Sequence, residues 1–390
     1  MRNFQSSDEL ALPSASLAAR QHGGPDALGV PRFDFSTNSN ACGPCPMALA
    51  AVQSADPTRY PDASYTALKQ QLADFHGVAA RRVVLAGSAS EFIFRITAWQ
   101  AQQSAGQGRV HLPPHSYGDY AHAAKAWGLA PTADVNAAQL VWACEPSSPL
   151  GQANEHWPSW LSHPGEGTVE SPAVLATFRA GTAQLVLDCA YAPLRLSDAP
   201  SLSTSQLEQV WQLFSPNKAL GLTGVRAAYA ISPLGSGTAV HELERLCASW
   251  PVGAHGVALL QAWVVPGVQA WLSDSLHTLA EWKTRQIKLL QRAGWMALPS
   301  EANFFCARPP GGDLTAQLQS LRAHGIKLRD AASFGLPGHV RLGVLAPEAQ
   351  DALIKAWALS TPSGRNPSPP GTNFLVKPAQ ADTTPNPQTK

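Results

Sequence analysis

Five short, almost uninterrupted apolar runs, spaced by segments of helical pattern, constrain the fold of this chain most. They are Arg82-Val-Val-Leu-Ala86 before Gly87, Arg109-Val-His-Leu112 before Pro113, Leu140-Val-Trp-Ala-Cys144 before Glu145-Pro146, Gln184-Leu-Val-Leu-Asp188, and Ala227-Ala-Tyr-Ala-Ile231 before Ser232-Pro233. A strand wetted on one face alternates apolar and polar residues, whereas a strand covered on both faces has no reason to. Between the runs, Ala67 to His76 is amphipathic and stops at Gly77, and a second helical stretch follows the Gly87 turn. Unalternating strands separated by helices predict an α/β chain with a mainly parallel sheet between helices.

The 390 residues leave room for more than one globular unit. Residues 1–45, with Gly23-Gly24-Pro25 and a polar Ser-Thr-Asn-Ser-Asn run, read as an extended arm, and the body begins near Pro46. A large unit over 46–270 is followed by a smaller α+β unit over 271–359. The helical region Val257 to Ala293 leads there into Asn303-Phe-Phe-Cys-Ala307, a helix from Leu314, Gly325-Ile-Lys-Leu-Arg329 and His339-Val-Arg-Leu-Gly-Val344. Seven prolines among Ser, Thr, Asn and Gln mark 360–390 as a disordered tail.

Composition narrows the function classes. With 28 Lys plus Arg against 27 Asp plus Glu, the net charge is +1, so nucleic-acid binding through bulk charge is not expected. Charged residues make up 14% and hydrophobic ones 45%, so much surface must be buried, part of it between subunits. No run approaches the roughly 18 apolar residues of a membrane helix. The opening Met1 to Ser14 carries an acidic pair where a signal peptide needs apolar residues. A cytoplasmic protein without membrane contact is the expectation. Six scattered cysteines do not make a disulfide framework; Cys144, Cys189 and Cys306 read as small buried thiols. No spacing of metal ligands is found, and no metal is expected.

The chemistry concentrates in Phe214-Ser-Pro-Asn-Lys-Ala-Leu-Gly-Leu-Thr-Gly-Val-Arg226, where Lys218 stands alone among small and apolar residues. Most lysines in Gly-rich loops are surface residues. A partly desolvated one suits nucleophilic chemistry on a carbonyl, and other segments favour that reading. Leu185-Val-Leu187 runs into Asp188, with Tyr191 three residues on, which places a carboxylate and a phenol at the C-terminal end of a strand, where ligands of open α/β sheets bind. Gly87-Ser-Ala-Ser90, between strand and helix, offers backbone N–H groups to a phosphate. A lysine, a carboxylate, a phenol and a phosphate cup are what pyridoxal phosphate needs.

The ordered set His22-Gly-Gly24, Asp34-Phe-Ser-Thr-Asn38-Ser-Asn40, Arg59-Tyr-Pro-Asp62, the Gly87 turn, Pro114-His-Ser-Tyr117-Gly-Asp-Tyr120, Asp188-Cys-Ala-Tyr191, Ser215-Pro-Asn-Lys218, Arg226 and Arg341 resembles the fold-type I pyridoxal 5′-phosphate enzymes, the class I/II aminotransferase superfamily. Within it the likeness is to the branch of histidinol-phosphate aminotransferases and cobalamin-pathway threonine-phosphate decarboxylases, over residues 20–358. The resemblance implies an aspartate-aminotransferase-like fold and a homodimer acting on a small phosphorylated amino acid. It also implies that Lys218 binds the cofactor and shuttles protons, that Asp188 pairs with its ring nitrogen, that Tyr191 donates to its ring hydroxyl, and that Tyr117 stacks on the ring. By the same resemblance Ala89, Ser90, Ser215 and Arg226 hold its phosphate, joined by Tyr60 of the neighbouring subunit. Arg341 clamps the substrate carboxylate, and Arg329 with His22 holds the substrate phosphate, although each arginine also fits an ordinary surface role.

Two departures stand out. Where the family carries Asn-Pro-Asn-Asn-Pro-Thr-Gly, this chain reads Glu145-Pro-Ser-Ser-Pro-Leu-Gly151, so Ser148 stands at the position that donates to the ring hydroxyl, with a shorter reach. Cys42-Gly-Pro-Cys45 copies a redox tetrapeptide, but it follows an Asn-rich arm rather than a strand. The wording Ser215 to Arg226, the opening His22-Gly-Gly24 and Gly118-Asp-Tyr120 favour decarboxylation of O-phospho-L-threonine to (R)-1-aminopropan-2-yl phosphate. Transamination of histidinol-phosphate type is the alternative. A cofactor-binding protein without catalysis is the non-enzyme alternative, raised by the altered loop.

Overall fold

The computed structural model describes residues 22–158, 161 and 183–360. Residues 1–21 of the arm and 361–390 of the expected tail lie outside them, and Ser360 closes the final helix, Pro347–Ser360. The strands run β1 (Phe33–Asp34), β2 (Val83–Ala86), β3 (Arg109–His111), β4 (Ala130–Thr132), β5 (Leu140–Cys144), β6 (Gln184–Asp188), β7 (Trp211–Phe214), β8 (Ala228–Ile231), β9 (Met296–Ala297), β10 (Phe304–Arg308), β11 (Ile326–Lys327), β12 (Arg329–Asp330) and β13 (Val340–Gly343). The first four helices are α1 (Pro46–Gln53), α2 (Thr66–His76), α3 (Ala89–Gln103) and α4 (Gly118–Trp127).

The main sheet has seven strands in the order β2-β8-β7-β6-β5-β3-β4. Its core explains the unalternating runs. Leu140 and Trp142 of β5 and Val186 of β6 face one apolar cluster with Phe92, Ile96 and Trp211, while Val141, Ala143, Leu185 and Leu187 face another. Successive side chains point to opposite faces, and both faces are covered. Burying each large side chain of such a core contributes about 1.5–3 kcal/mol.

Three strands depart from the expected pattern, the first being β4, Ala-Pro-Thr, an edge strand too short to stand out. β7 was not legible as a strand, since Trp-Gln-Leu-Phe is short and half alternating. β8 pairs antiparallel with both β2 and β7, while β3 to β7 run parallel.

The C-terminal unit is an antiparallel sheet in the order β12-β13-β10-β9, with the helices Leu314–Ala323 and Pro347–Ser360. The long helix Pro266–Arg292 joins it to the main body, and the expected boundary at 270 falls inside that helix. The arm is not free: β1 pairs parallel with β11, and Gly343 N–H donates to Phe35 O at 2.7 Å. Among the described residues no single helix is long and apolar enough to cross a membrane.

Candidate active site

Register gathers the site. Cys144 of β5 lies opposite Asp188 of β6, and Asp188 opposite Leu213 of β7, so the C-terminal ends of three strands share one edge. β8 runs the other way, with Tyr229 opposite Phe214 and Ala228 opposite Ala86 of β2. Arg226, just before β8, therefore reaches the edge where its neighbours end.

At the base of this edge Asp188 is buried, 5% exposed. Tyr120 Oη donates to its Oδ2 at 2.6 Å and Ala190 N–H to its Oδ1 at 2.9 Å. Burial pushes the carboxyl above the ordinary carboxylate range, while these donors and the Lys218 charge pull it back. Lys218 is half-buried, with Nζ 5.3 Å from the centroid of the Tyr191 ring. Its carbonyl accepts from Asn40 N–H at 2.9 Å and Ser39 Oγ at 3.4 Å, which ties the lysine loop to the arm. A Cβ at Gly221, φ +69°, would stand 3.0 Å from Pro44 Cα, so glycine alone lets the two loops meet this closely. Tyr191 is buried, edge-on to Phe304 at 4.7 Å, with Asn38 Nδ2 3.4 Å from its Oη. Tyr117 shares a hydrogen bond of 3.2 Å with Ser90 Oγ, and burial pushes its phenol up to about 12, so it keeps its proton at neutral pH.

The other end of the site is more open. Ala89 and Ser90 open α3, whose first-turn N–H groups lack intrahelical acceptors. Ser88 Oγ accepts from Glu91 N–H at 3.1 Å, a cap worth about 1 kcal/mol. A Cβ at Gly87 would meet Pro251 O at 2.8 Å, so the turn requires glycine. Ser215 Oγ is buried without a hydrogen-bond partner among the described residues. Arg226 is exposed. Tyr60 is 79% exposed and stacks on Trp250 at 4.5 Å.

Facing this edge from the smaller unit, Arg329 and Arg341 are directly opposed on β12 and β13. Both are buried, and both guanidiniums approach the Phe334 ring, at 4.8 and 5.4 Å. Arg341 donates to Ser148 Oγ at 3.2 Å and to Ser36 O at 2.9 Å, while its Nε has no partner among the described residues. Arg329 donates to Asp330 O at 3.0 Å and Ser333 Oγ at 2.8 Å, and burial and the Arg341 charge lower its pKa. His22 is exposed, with its ring 6.3 Å from that of Tyr117. Ser148 thus accepts from Arg341, which leaves its own proton free to donate onward.

The altered loop has its own anchor. Glu145, 3% exposed, accepts from Arg195 Nη2 at 2.8 Å, Ser201 N–H at 2.7 Å and Asn154 N–H at 3.2 Å, and from Ser201 Oγ. Arg195 also pairs with Glu301 of the smaller unit. Such a buried pair costs several kcal/mol to break from one side. Cys45 is buried at the start of α1, and burial raises the thiol of half-buried Cys42, which is the reverse of a reactive dithiol. No group of three or more His, Cys, Asp or Glu able to hold a metal occurs among the described residues.

Sequence reasoning assigned no role to Tyr120, Asn38, Glu145 or Arg195. For Tyr120 a signal existed, since it lies in the first turn of the helix that follows Tyr117 and closes the same motif. The others depend on contacts across 50 residues or more, such as Arg195 with Glu145.

A flat heteroaromatic ring carrying a phosphate and an aldehyde fits these residues. Among the described residues Asp188 has no cation that offsets its burial, Ser215 Oγ has no partner where a phosphate oxygen would supply one, and the Lys218 amine stands near Tyr191 and acts on the Asp188 charge.

The family described as aminotransferase class I and II matches residues 172–356. A histidinol-phosphate aminotransferase of Jannaschia sp. is 27% identical over 341 residues, 82% of this chain and 89% of the relative. Among solved structures, histidinol-phosphate aminotransferase from Sinorhizobium meliloti in complex with pyridoxal-5′-phosphate is similar at TM-score 0.65 and 22% identity, covering 83% of this chain and 89% of that one. L-threonine-O-3-phosphate decarboxylase from Porphyromonas gingivalis is similar at TM-score 0.60 and 17% identity, covering 80% and 91%. At these identities the two structures speak to the fold alone, which is that of the fold-type I enzymes.

Proposed function

From the match of residues 172–356 to the aminotransferase class I and II family, we propose that the chain is a pyridoxal 5′-phosphate enzyme acting on the amino group of a small phosphorylated amine or amino acid. When bound, the cofactor supplies an electron sink that lets one bond at the substrate Cα break. Lys218 would hold it through its amine and carry a proton to or from Cα. Asp188 would keep the ring nitrogen protonated, Tyr191 and Ser148 would donate to the ring hydroxyl, and Tyr117 would cover the ring. Ser215, the amides of Ala89 and Ser90, and Arg226 would take the phosphate, with Tyr60 of a second copy. Its exposed phenol supports a homodimer.

The observation that carries the substrate class is the opposed pair Arg329 and Arg341. Two buried guanidiniums side by side repel, and a molecule bearing phosphate or carboxylate at each would turn that repulsion into charge-assisted hydrogen bonding. Arg341 would take a carboxylate, that of a phosphorylated amino acid or of 2-oxoglutarate, and Arg329, with His22, the phosphate.

The curated relatives at 24–29% identity are histidinol-phosphate aminotransferases, which supports transamination as the first reading. The motif wording around Lys218 and the likeness to the Porphyromonas gingivalis fold support phosphothreonine decarboxylation as the second. Incubating the loaded protein with each substrate separates them. An absolute need for 2-oxoglutarate is expected for transamination. Release of carbon dioxide from phosphothreonine without any oxo acid overturns it in favour of decarboxylation. An intact cofactor band without turnover on either would identify a non-catalytic binder.

A further inference from the structure

We propose that Tyr120 is a positioning residue that keeps the Asp188 carboxylate charged and aimed at the ring nitrogen of the cofactor. The inference rests on the reading of this chain as a pyridoxal phosphate enzyme and assigns work to a side chain outside the cofactor's contacts.

The geometry points to it in three ways. Tyr120 Oη to Asp188 Oδ2, at 2.6 Å, is the one side-chain hydrogen bond to this carboxylate among the described residues. With Ala190 N–H on Oδ1 at 2.9 Å, it fixes the plane of the carboxylate from both oxygens. Tyr120 is itself clamped, stacked on Trp142 at 4.5 Å and 11° and edge-on to Tyr117 at 5.9 Å, with no exposed surface.

The surroundings of Asp188 leave this bond much to do. Tyr120 faces it from α4 and Tyr117 from the residue before that helix, Cys144 from β5, Lys218 from the loop after β7, and Cys189 follows it in the chain. Burial holds both phenols and both thiols in their neutral forms at ordinary pH. Lys218 is the one cation among them, and its amine is the group committed to the cofactor. The negative charge on Asp188 therefore leans on the phenol and a single backbone N–H. A hydrogen bond to the charged form favours that form, so its loss makes Asp188 easier to protonate.

Tyr120→Phe keeps the ring stack and removes only the donor. We expect the affinity of the apo-protein for pyridoxal phosphate, read from the visible absorbance band, to fall about tenfold, the equivalent of one charged hydrogen bond. We also expect the pH at which that band changes to move up by about one unit. An inert structural role would shift neither the band nor its pH. Asp188→Ala is the reference. If it loses cofactor while Tyr120→Phe matches wild type in affinity and spectrum, the role of Tyr120 is overturned. If Asp188→Ala binds cofactor like wild type, the functional reading beneath it fails instead. Should Tyr120→Phe not fold, 3-fluorotyrosine at 120, a stronger donor of nearly equal size, must move the transition to lower pH; no movement overturns the proposal.

Discussion

The two ends of the candidate site are built differently. At the ring end, Asp188, Tyr120, Tyr191 and Arg341 are buried and hydrogen-bonded within one chain. At the end proposed for the phosphate, Ser215 Oγ has no hydrogen-bond partner among the described residues, and Arg226 and Tyr60 are exposed. One chain can preorganise the chemistry but leaves the phosphate end partly open to water, where charged contacts are weaker. In the proposed homodimer a second copy would cover that end and take up part of the apolar surplus of the composition.

The contrast can be broken or sharpened by mutation. The largest effect belongs to the ring end: Lys218→Ala should lower kcat by at least about 10³-fold, in the range of a lost acid–base group. Borohydride reduction followed by peptide mass analysis should locate the cofactor on Lys218 in the wild type, and attachment at another lysine would break the assignment. Arg341→Ala comes next. Loss of its charged hydrogen bonds, about 2–3 kcal/mol, should cost roughly 30- to 150-fold in kcat/KM, mostly through KM. A change below threefold would remove Arg341 from the substrate's path.

Tyr60 tests the open end. Mixing inactive Lys218→Ala with Tyr60→Ala, unfolding and refolding together, should restore about a quarter of the sites, because each hybrid dimer regains one intact site if Tyr60 acts across the interface. No gain over the separate variants places Tyr60 in its own subunit's site or in none. The smallest effect on turnover is expected from His76, behind Phe214 and bonded to Tyr229 Oη at 2.9 Å. Burial lowers its pKa from 6.5 to about 4, so the unfolded chain binds the extra proton between these values and stability falls as pH drops through that window. The loss between pH 7 and pH 5 should be about 2 kcal/mol, and His76→Gln should flatten that slope in urea titrations.

The same division governs what the sequence could reveal. Lys218 stood out because Pro, Asn and Gly around it leave little else to explain a lone cation, and Asp188 because it ends an apolar run. Both signals are local. The direction of β8 was not legible, since an apolar run reads alike in either orientation, yet that direction is what brings Arg226 to the shared edge. Nor was the pairing of Glu145 with Arg195, a partner 50 positions away, which anchors the loop from Glu145 to Gly151. The side chains assigned to the cofactor carry local signals, and those that hold them do not.

The stitching of the arm to the C-terminal unit has a consequence for how the protein comes into being. Arg341 Nη2 donates to Ser36 O across 305 positions, and β1 pairs with β11. During synthesis the arm leaves the ribosome 305 positions ahead of the arginine that grips it, and this contact cannot form until that stretch has followed. At about 5–20 residues per second that delay lasts tens of seconds. The end of the candidate site that holds Arg341 is thus the last to close, and a nascent chain cut short before it would carry Asp188 and Lys218 without the arginine that faces them.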